Sequence, residues 1–172
     1  MIPFSYYHNS QINRPHAYTQ IRVRVRPDPK IDLGLIDDRC ALLVCDLQQP
    51  DIPIVYCSEP FSLLTGYQPS EILGKNCRFL QSPDGNVSKG EKRLHTNDRK
   101  VYELKTRINK REEAQVTITN YKKGGESFEN ILTTIPIRWD SASEEVRYVV
   151  GFQVDRRDCF VGPALAPVPA RK

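Results

Sequence analysis

The strongest constraint on what this 172-residue chain can become lies toward its C-terminal end. Residues 113–122 and 126–137 alternate apolar and polar side chains on either side of Gly124-Gly125, and residues 145–155 repeat the alternation. A period of two means half-buried strands, and a Gly-Gly junction between two of them is a strong hairpin signal. Two further apolar runs, "ALLVCD" (41–46) and "PIVYC" (53–57), flank a turn containing Pro and Asp and read as short strands. Between these groups the pattern changes. Ser58 is a good helix N-cap, and with Glu59 and Pro60 behind it opens a short helix that Gly66 ends. "SEILG" and "NCRFLQ" each fit another short turn of helix, and "DRKVYELKTRINK" sets Val101, Leu104 and Ile108 at helical spacing. The run 82–97 is too rich in Gly, Ser and charge to pack, and reads as a loop. This order predicts an α+β fold, a five-stranded antiparallel sheet with short helices on one face.

Composition then removes classes of function. No apolar run approaches the roughly 18 residues of a membrane span, so a soluble chain without a span is expected. The start "MIPFSYYHNS" lacks the order of a secretory signal, which predicts an intracellular protein, cytoplasmic or nuclear. Cysteines 40, 45, 57, 77 and 159 include no C-x-x-C, and the three histidines have no ligand spacing. Reduced thiols are therefore expected, with no disulfide framework and no metal. A net charge of +4 from dispersed basic residues gives no ground for direct nucleic-acid binding.

Three zones follow: an N-terminal cap at 1–36, the domain at 37–155, and a Pro- and Ala-containing tail at 156–172 expected to be disordered. In the cap, Ile21, Val23 and Val25 would share one face of a strand and Arg22, Arg24 and Arg26 the other. Those arginines read as a solvated edge that resists aggregation, or as a phosphate or membrane contact.

Strand alternation exposes polar groups among apolar ones. Asn120 continues the face of Ala114, Val116 and Ile118; Asn130 shares a face with Phe128 and Leu132; Gln153 shares one with Val149 and Gly151. A buried amide without partners costs about 2–7 kcal/mol, so these three bond to one another, to water, or to a polar ligand. A heteroaromatic edge with alternating donors and acceptors suits amides, since each offers both functions. The opposite face, with Ile131, Ile135, Tyr148, Val150, Phe152 and Val154, needs a cover that the helices cannot also provide; the N-terminal segment and a partner subunit are the candidates.

Cys77, in "GKNCRFLQSPDG", has no histidine or second cysteine close in sequence. A structural cysteine is one reading. A thiol enzyme is another, but it wants a nearby base or a depressed pKa.

"GKNCRFLQ" resembles the photoactive signature of the light-oxygen-voltage (LOV) subgroup of PAS domains, and "NYKKGG" with Phe128 and Asn130, and "GFQVD", resemble its later strand motifs. The similarity spans about residues 39–155. Within the family, "RPDPKIDLGLIDDRCALLVCD" and "NCRFLQSPDG" are similar to the fungal members, both the small Vivid and Envoy type and the white-collar transcription regulators. The lack of a zinc-finger pattern favours the small type over a fragment of a larger white-collar regulator. The resemblance implies a PAS/LOV fold with an N-terminal cap and a blue-light receptor that is not an enzyme. Its flavin is FAD, with FMN possible, because the polar loop 82–97 lengthens the chain relative to plant members and makes room for adenine. It implies that Cys77 adds reversibly to flavin C4a with N5 protonated, that Arg78 holds the phosphate, and that Asn76 and Gln81 approach the ring and ribityl chain. Asn120 and Asn130 fall on the pyrimidine edge, while Leu43, Cys45, Ile54 and Leu132 line the pocket. Lys105 stands where many members have a second phosphate-binding arginine, and loses the bidentate fork; Lys89, Lys92 and Arg93 could compensate or simply be solvated. Gln153 is the implied transducer, reversing its hydrogen bond to N5. Asp37 and Cys40, with Cys45, sit at the implied hinge between cap and first strand, where Cys40 could also be an inert small residue. Light-dependent homodimerisation follows from the resemblance, as does a heterodimer with a white-collar-type LOV protein. The rival is a redox or interaction PAS module with little photochemistry.

Overall fold

A computed structural model of the chain describes residues 23, 26, 28–34, 36–138 and 145–159. The elements run β1 (Ala41–Asp46), β2 (Ile54–Cys57), α1 (Glu59–Thr65), α2 (Pro69–Ile72), a 3-10 turn (Cys77–Gln81), α3 (Asp98–Asn109), β3 (Ala114–Tyr121), β4 (Ser127–Ile137) and β5 (Tyr148–Asp155). The five strands form one antiparallel sheet, as the alternation and turn signals predict, and its strand order is β2-β1-β5-β4-β3. The last strand begins at Tyr148 rather than at 145, and residues 82–97 form no helix or strand. The β3–β4 hairpin closes through Gly125, whose φ of 82° is one that side-chain-bearing residues rarely adopt.

The two faces of the sheet bury different things. On the outer face Leu42, Val44, Ile135, Ile137, Tyr148, Val150 and Phe152 form one cluster, which Val23 and Ile36 complete and Leu33 borders. The N-terminal segment thus supplies cover for the face that the helices leave bare. Val23 is helical and 1% exposed. This corrects the strand reading at that position: burial against a flat apolar sheet outweighs the modest β-preference of a single valine. Ile21, Arg22, Arg24 and Val25 lie outside the described residues. Arg26 is not solvated either, since its Nε lies 3.1 Å from Glu113 and its Nη2 donates to the Ile31 carbonyl at 2.6 Å. Glu113 also accepts from the Lys30 and Ile31 amides, so one carboxylate ties the segment to the start of β3.

Beyond β5 the chain turns once more as a 3-10 turn, Arg156–Asp158, with Asp155 accepting from the Arg157 amide at 3.0 Å. Residues 160–172 of the expected tail lie outside the described residues.

Ser58 joins helix and sheet. Its Oγ accepts from the Leu42 amide at 3.0 Å and from the Phe61 amide at 3.3 Å as the cap of α1, and donates to the Cys40 carbonyl at 3.1 Å. It is 2% exposed, so its removal strands those groups away from water. Ser58→Ala should cost about 1–3 kcal/mol. Urea unfolding should show a lower midpoint at an unchanged slope.

Candidate functional site

The helix-covered face of the sheet carries two apolar clusters instead of one. The first gathers Leu43, Cys45, Ile54, Phe61, Ile72, Phe79, Leu80 and Val149. The second gathers Leu104, Ala114, Val116, Ile118 and Leu132 beneath α3. Gly151 lies between them. A Cβ there would stand 3.4 Å from Leu43, 3.6 Å from Leu132 and 3.6 Å from Gln153 Nε2, so the missing side chain opens the floor where the clusters approach.

The three amides lie on this face, all 4% exposed or less. Asn130 Nδ2 donates to Asn120 Oδ1 at 2.7 Å and to Gln153 Oε1, while Asn130 Oδ1 accepts from the Val154 amide at 3.3 Å. Asn120 Nδ2 donates to the Thr119 carbonyl at 3.0 Å. The expected internal network therefore exists, and it is incomplete. Gln153 Nε2 has no hydrogen-bond partner among the described residues. A donor so placed fits an acceptor atom on a ligand.

Cys77 opens the 3-10 turn, which Asn76 caps by accepting from the Arg78 amide at 3.1 Å. The other side of the Asn76 amide clamps the β1–β2 loop, donating to the Asp51 carbonyl at 2.6 Å. In that loop Asp51 and Ile52 hold φ values of 67° and 52°, a conformation costly for a β-branched residue and kept by the surrounding bonds. Half-buried Cys77 has its sulfur 3.5 Å from that of Cys45. That contact and burial together push the Cys45 thiol well above its ordinary range. Among the described residues the hydrogen-bonding neighbour of the Cys77 thiol is Cys45, with no carboxylate or imidazole bonded to it.

A cationic end lies beside the thiol. Arg78 grips the Asp51 carboxylate with both terminal nitrogens, Nη1 to Oδ2 at 2.6 Å and Nη2 to Oδ1. Hydrogen bonds from Arg78 first, then its charge and those of Lys89 and Lys105, hold Asp51 below the usual carboxylate range despite some desolvation. The charges of Arg78, Lys89 and Lys105 thus all act on the Asp51 carboxylate. Arg93, from the loop, is not simply solvated: its Nε donates to Gln81 Oε1 at 2.5 Å. Asp51 itself was not foreseeable, because only the folded loop brings position 51 to position 78.

Asp37 and Cys40 lie where the N-terminal segment leads into β1. Asp37 accepts from the Arg39 side chain and receives the Cys40 thiol at 3.9 Å. Cys40 is half-buried against the outer cluster. Its neighbour Ala41 pairs with Gln153 across β1 and β5, so Cys40 and the buried amides are close in register.

The PAS domain family matches residues 39–158. The chain is 51% identical over 137 residues to the White collar 1 protein of Neurospora crassa, covering 80% of this chain and 12% of that one. It is 52% identical over 130 residues to the blue light receptor lreA of Aspergillus flavus, covering 76% of this chain and 15% of the relative. Among solved structures, the light-state dimer of the fungal blue-light photoreceptor Vivid superposes with a TM-score of 0.77 at 42% identity, covering 86% of this chain and 96% of that one. The chain belongs to the PAS domain family, in its light-oxygen-voltage branch. It spans less than a sixth of the two curated relatives' length, so what those whole proteins do does not transfer with the family.

Proposed function

We propose that the chain is a blue-light receptor domain that holds a flavin between the two inner clusters and signals through β5 to the N-terminal segment. The observation that carries this reading is the open donor of buried Gln153 on a face that also bears Asn120 and Asn130. The residues present suit a flavin: amides for a pyrimidine edge, apolar walls from Leu43, Ile54 and Leu132, and the cations Arg78, Lys89 and Lys105 for phosphate. When bound, a flavin supplies a blue-absorbing ring whose excited state takes up a nearby thiol reversibly at a ring carbon.

The chain's own residues do the rest. Cys77 supplies the sulfur and its proton, with no base required. Gln153 would donate through Nε2 to an acceptor on the bound ring, and would have to turn and offer Oε1 if that acceptor became a donor. Turning withdraws Oε1 from Asn130, so the bonds on β5 change beside Ala41 and the hinge at Asp37 and Cys40. The N-terminal segment, residues 1–36, then repacks against domain 37–155 and frees the outer face for a second copy. Vivid's light-state dimer supports this assembly, and likeness to White collar 1 supports a white-collar-type LOV protein as a further partner. Such a role places the chain in cytoplasm or nucleus. A second reading, a light-sensing part of a larger white-collar-type regulator, is favoured by the 51% identity over a small share of that protein. FAD is the proposed flavin, because the polar loop 82–97 offers room for adenine and brings Arg93 onto Gln81 and the charge of Lys89 to bear on Asp51 beside Arg78; FMN is the alternative.

Purified protein should be yellow, with a structured blue band that a flash bleaches and darkness restores. Cys77→Ala should keep the colour and lose the bleaching, and normal bleaching in this variant would overturn the assignment. Flavin released by acid and separated by chromatography should contain a substantial fraction of FAD; FMN alone, in protein supplied with ample FAD, would refute the loop argument.

Gln153→Leu should still bleach, yet its light-induced rise in mass by light scattering should shrink or vanish. A bias of about 1.4 kcal/mol, near the net worth of one hydrogen bond, already changes the association constant about tenfold. Equal dimerisation by parent and variant would route the signal elsewhere.

A further inference from the structure

Cys45 has no part in the chemistry above, yet its sulfur lies 3.5 Å from that of Cys77. The two cysteines are 32 positions apart in sequence, on β1 and on the 3-10 turn, and only the fold makes them neighbours. Cys45 is 3% exposed at the base of the first inner cluster, while Cys77 is half-buried. An oxidant therefore reaches Cys77 first.

We propose that Cys45 and Cys77 form a reversible disulfide under peroxide, and that this bond silences the domain by taking away the thiol that light uses. The proposal rests on the reading of Cys77 as the photoactive thiol. In the first step Cys77–SH and hydrogen peroxide give Cys77–SOH and water. In the second, the Cys45 sulfur attacks the Cys77 sulfur; the S–O bond breaks, the S–S bond forms, and the Cys45 proton leaves with the hydroxyl as a second water. Two thiols have then lost two hydrogen atoms, and one peroxide has become two waters. Closing the pair to a disulfide length of about 2 Å asks for a side-chain movement of about 1.5 Å at a half-buried residue. The buried Cys45 thiol, held in its protonated form by Cys77 and by its apolar surroundings, is a poor target for peroxide in bulk and acts only on the sulfur beside it. The bond also protects: a sulfenic acid trapped by a neighbouring thiol does not proceed to the irreversible sulfinic acid.

The test treats the flavin-loaded full chain in darkness with stepwise hydrogen peroxide. Free thiols are then alkylated, and peptides are mapped without reduction. The expected product joins the Cys45 and Cys77 peptides with a loss of two hydrogens. Flash bleaching should fall in proportion to the joined fraction, and dithiothreitol should restore both. Cys45→Ser, with Cys45→Ala as a second variant and the flavin band as the check on folding, should form no joined peptide and recover less bleaching after the same treatment, each variant scored against its own reduced state. Oxidation of Cys77 without the joined peptide would overturn the proposal, as would equal recovery in parent and variants. A joined peptide in protein whose reduced form never bleaches would instead refute the photoreceptor reading while leaving the disulfide in place.

Discussion

Phe152 and Gln153 are neighbours on β5 and point to opposite sides of the sheet, and on this much of the structure depends. β5 is the central strand, paired along its length with β1 and β4, and both side chains are buried, at 7% and 4% exposure. On one side an apolar row needs a cover, and Val23 and Ile36 provide it. On the other an amide must be bonded or pay a penalty of a few kcal/mol, and Asn130 bonds only its oxygen. A strand built this way sets a polar contact on one face a single peptide unit from an apolar contact on the other.

The inner face divides its labour along its length. One end is electrostatic: Arg78 with Lys89 and Lys105 around the Asp51 carboxylate, anchored by a loop whose positive φ values Asn76 helps to hold. The middle is an amide patch. The thiol pair packs against the first apolar cluster, where burial and the contact with Cys77 push the Cys45 thiol up. These demands conflict locally with good packing, which is why the two apolar clusters remain separate and a glycine, Gly151, lies at their junction.

The strands, helix caps and hairpin were legible in the residues because they answer to local rules. Ser58 caps whatever helix follows it, alternation marks a half-buried strand in any context, and Gly125 permits a turn that other residues resist. The amides were legible for the same reason, since period two placed Asn120, Asn130 and Gln153 among apolar neighbours before any pairing was known. Val23 went the other way. Its strand-like neighbourhood read as extended, but a contact made far away in sequence decides its conformation.

By itself, then, the sequence determined the order of elements, the two-faced character of the strands, and which cysteine and amides are candidates for the site. Tertiary structure alone decided that Cys45 touches Cys77, that Asp51 lies in the grip of Arg78, that Glu113 binds the N-terminal segment, and that Gln153 keeps its nitrogen free. The physical reason is range. Periodicity, caps and turns are energies of neighbouring residues and can be read off a string, whereas a sulfur at 3.5 Å or a bidentate ion pair depends on where distant segments come to rest once the core has closed.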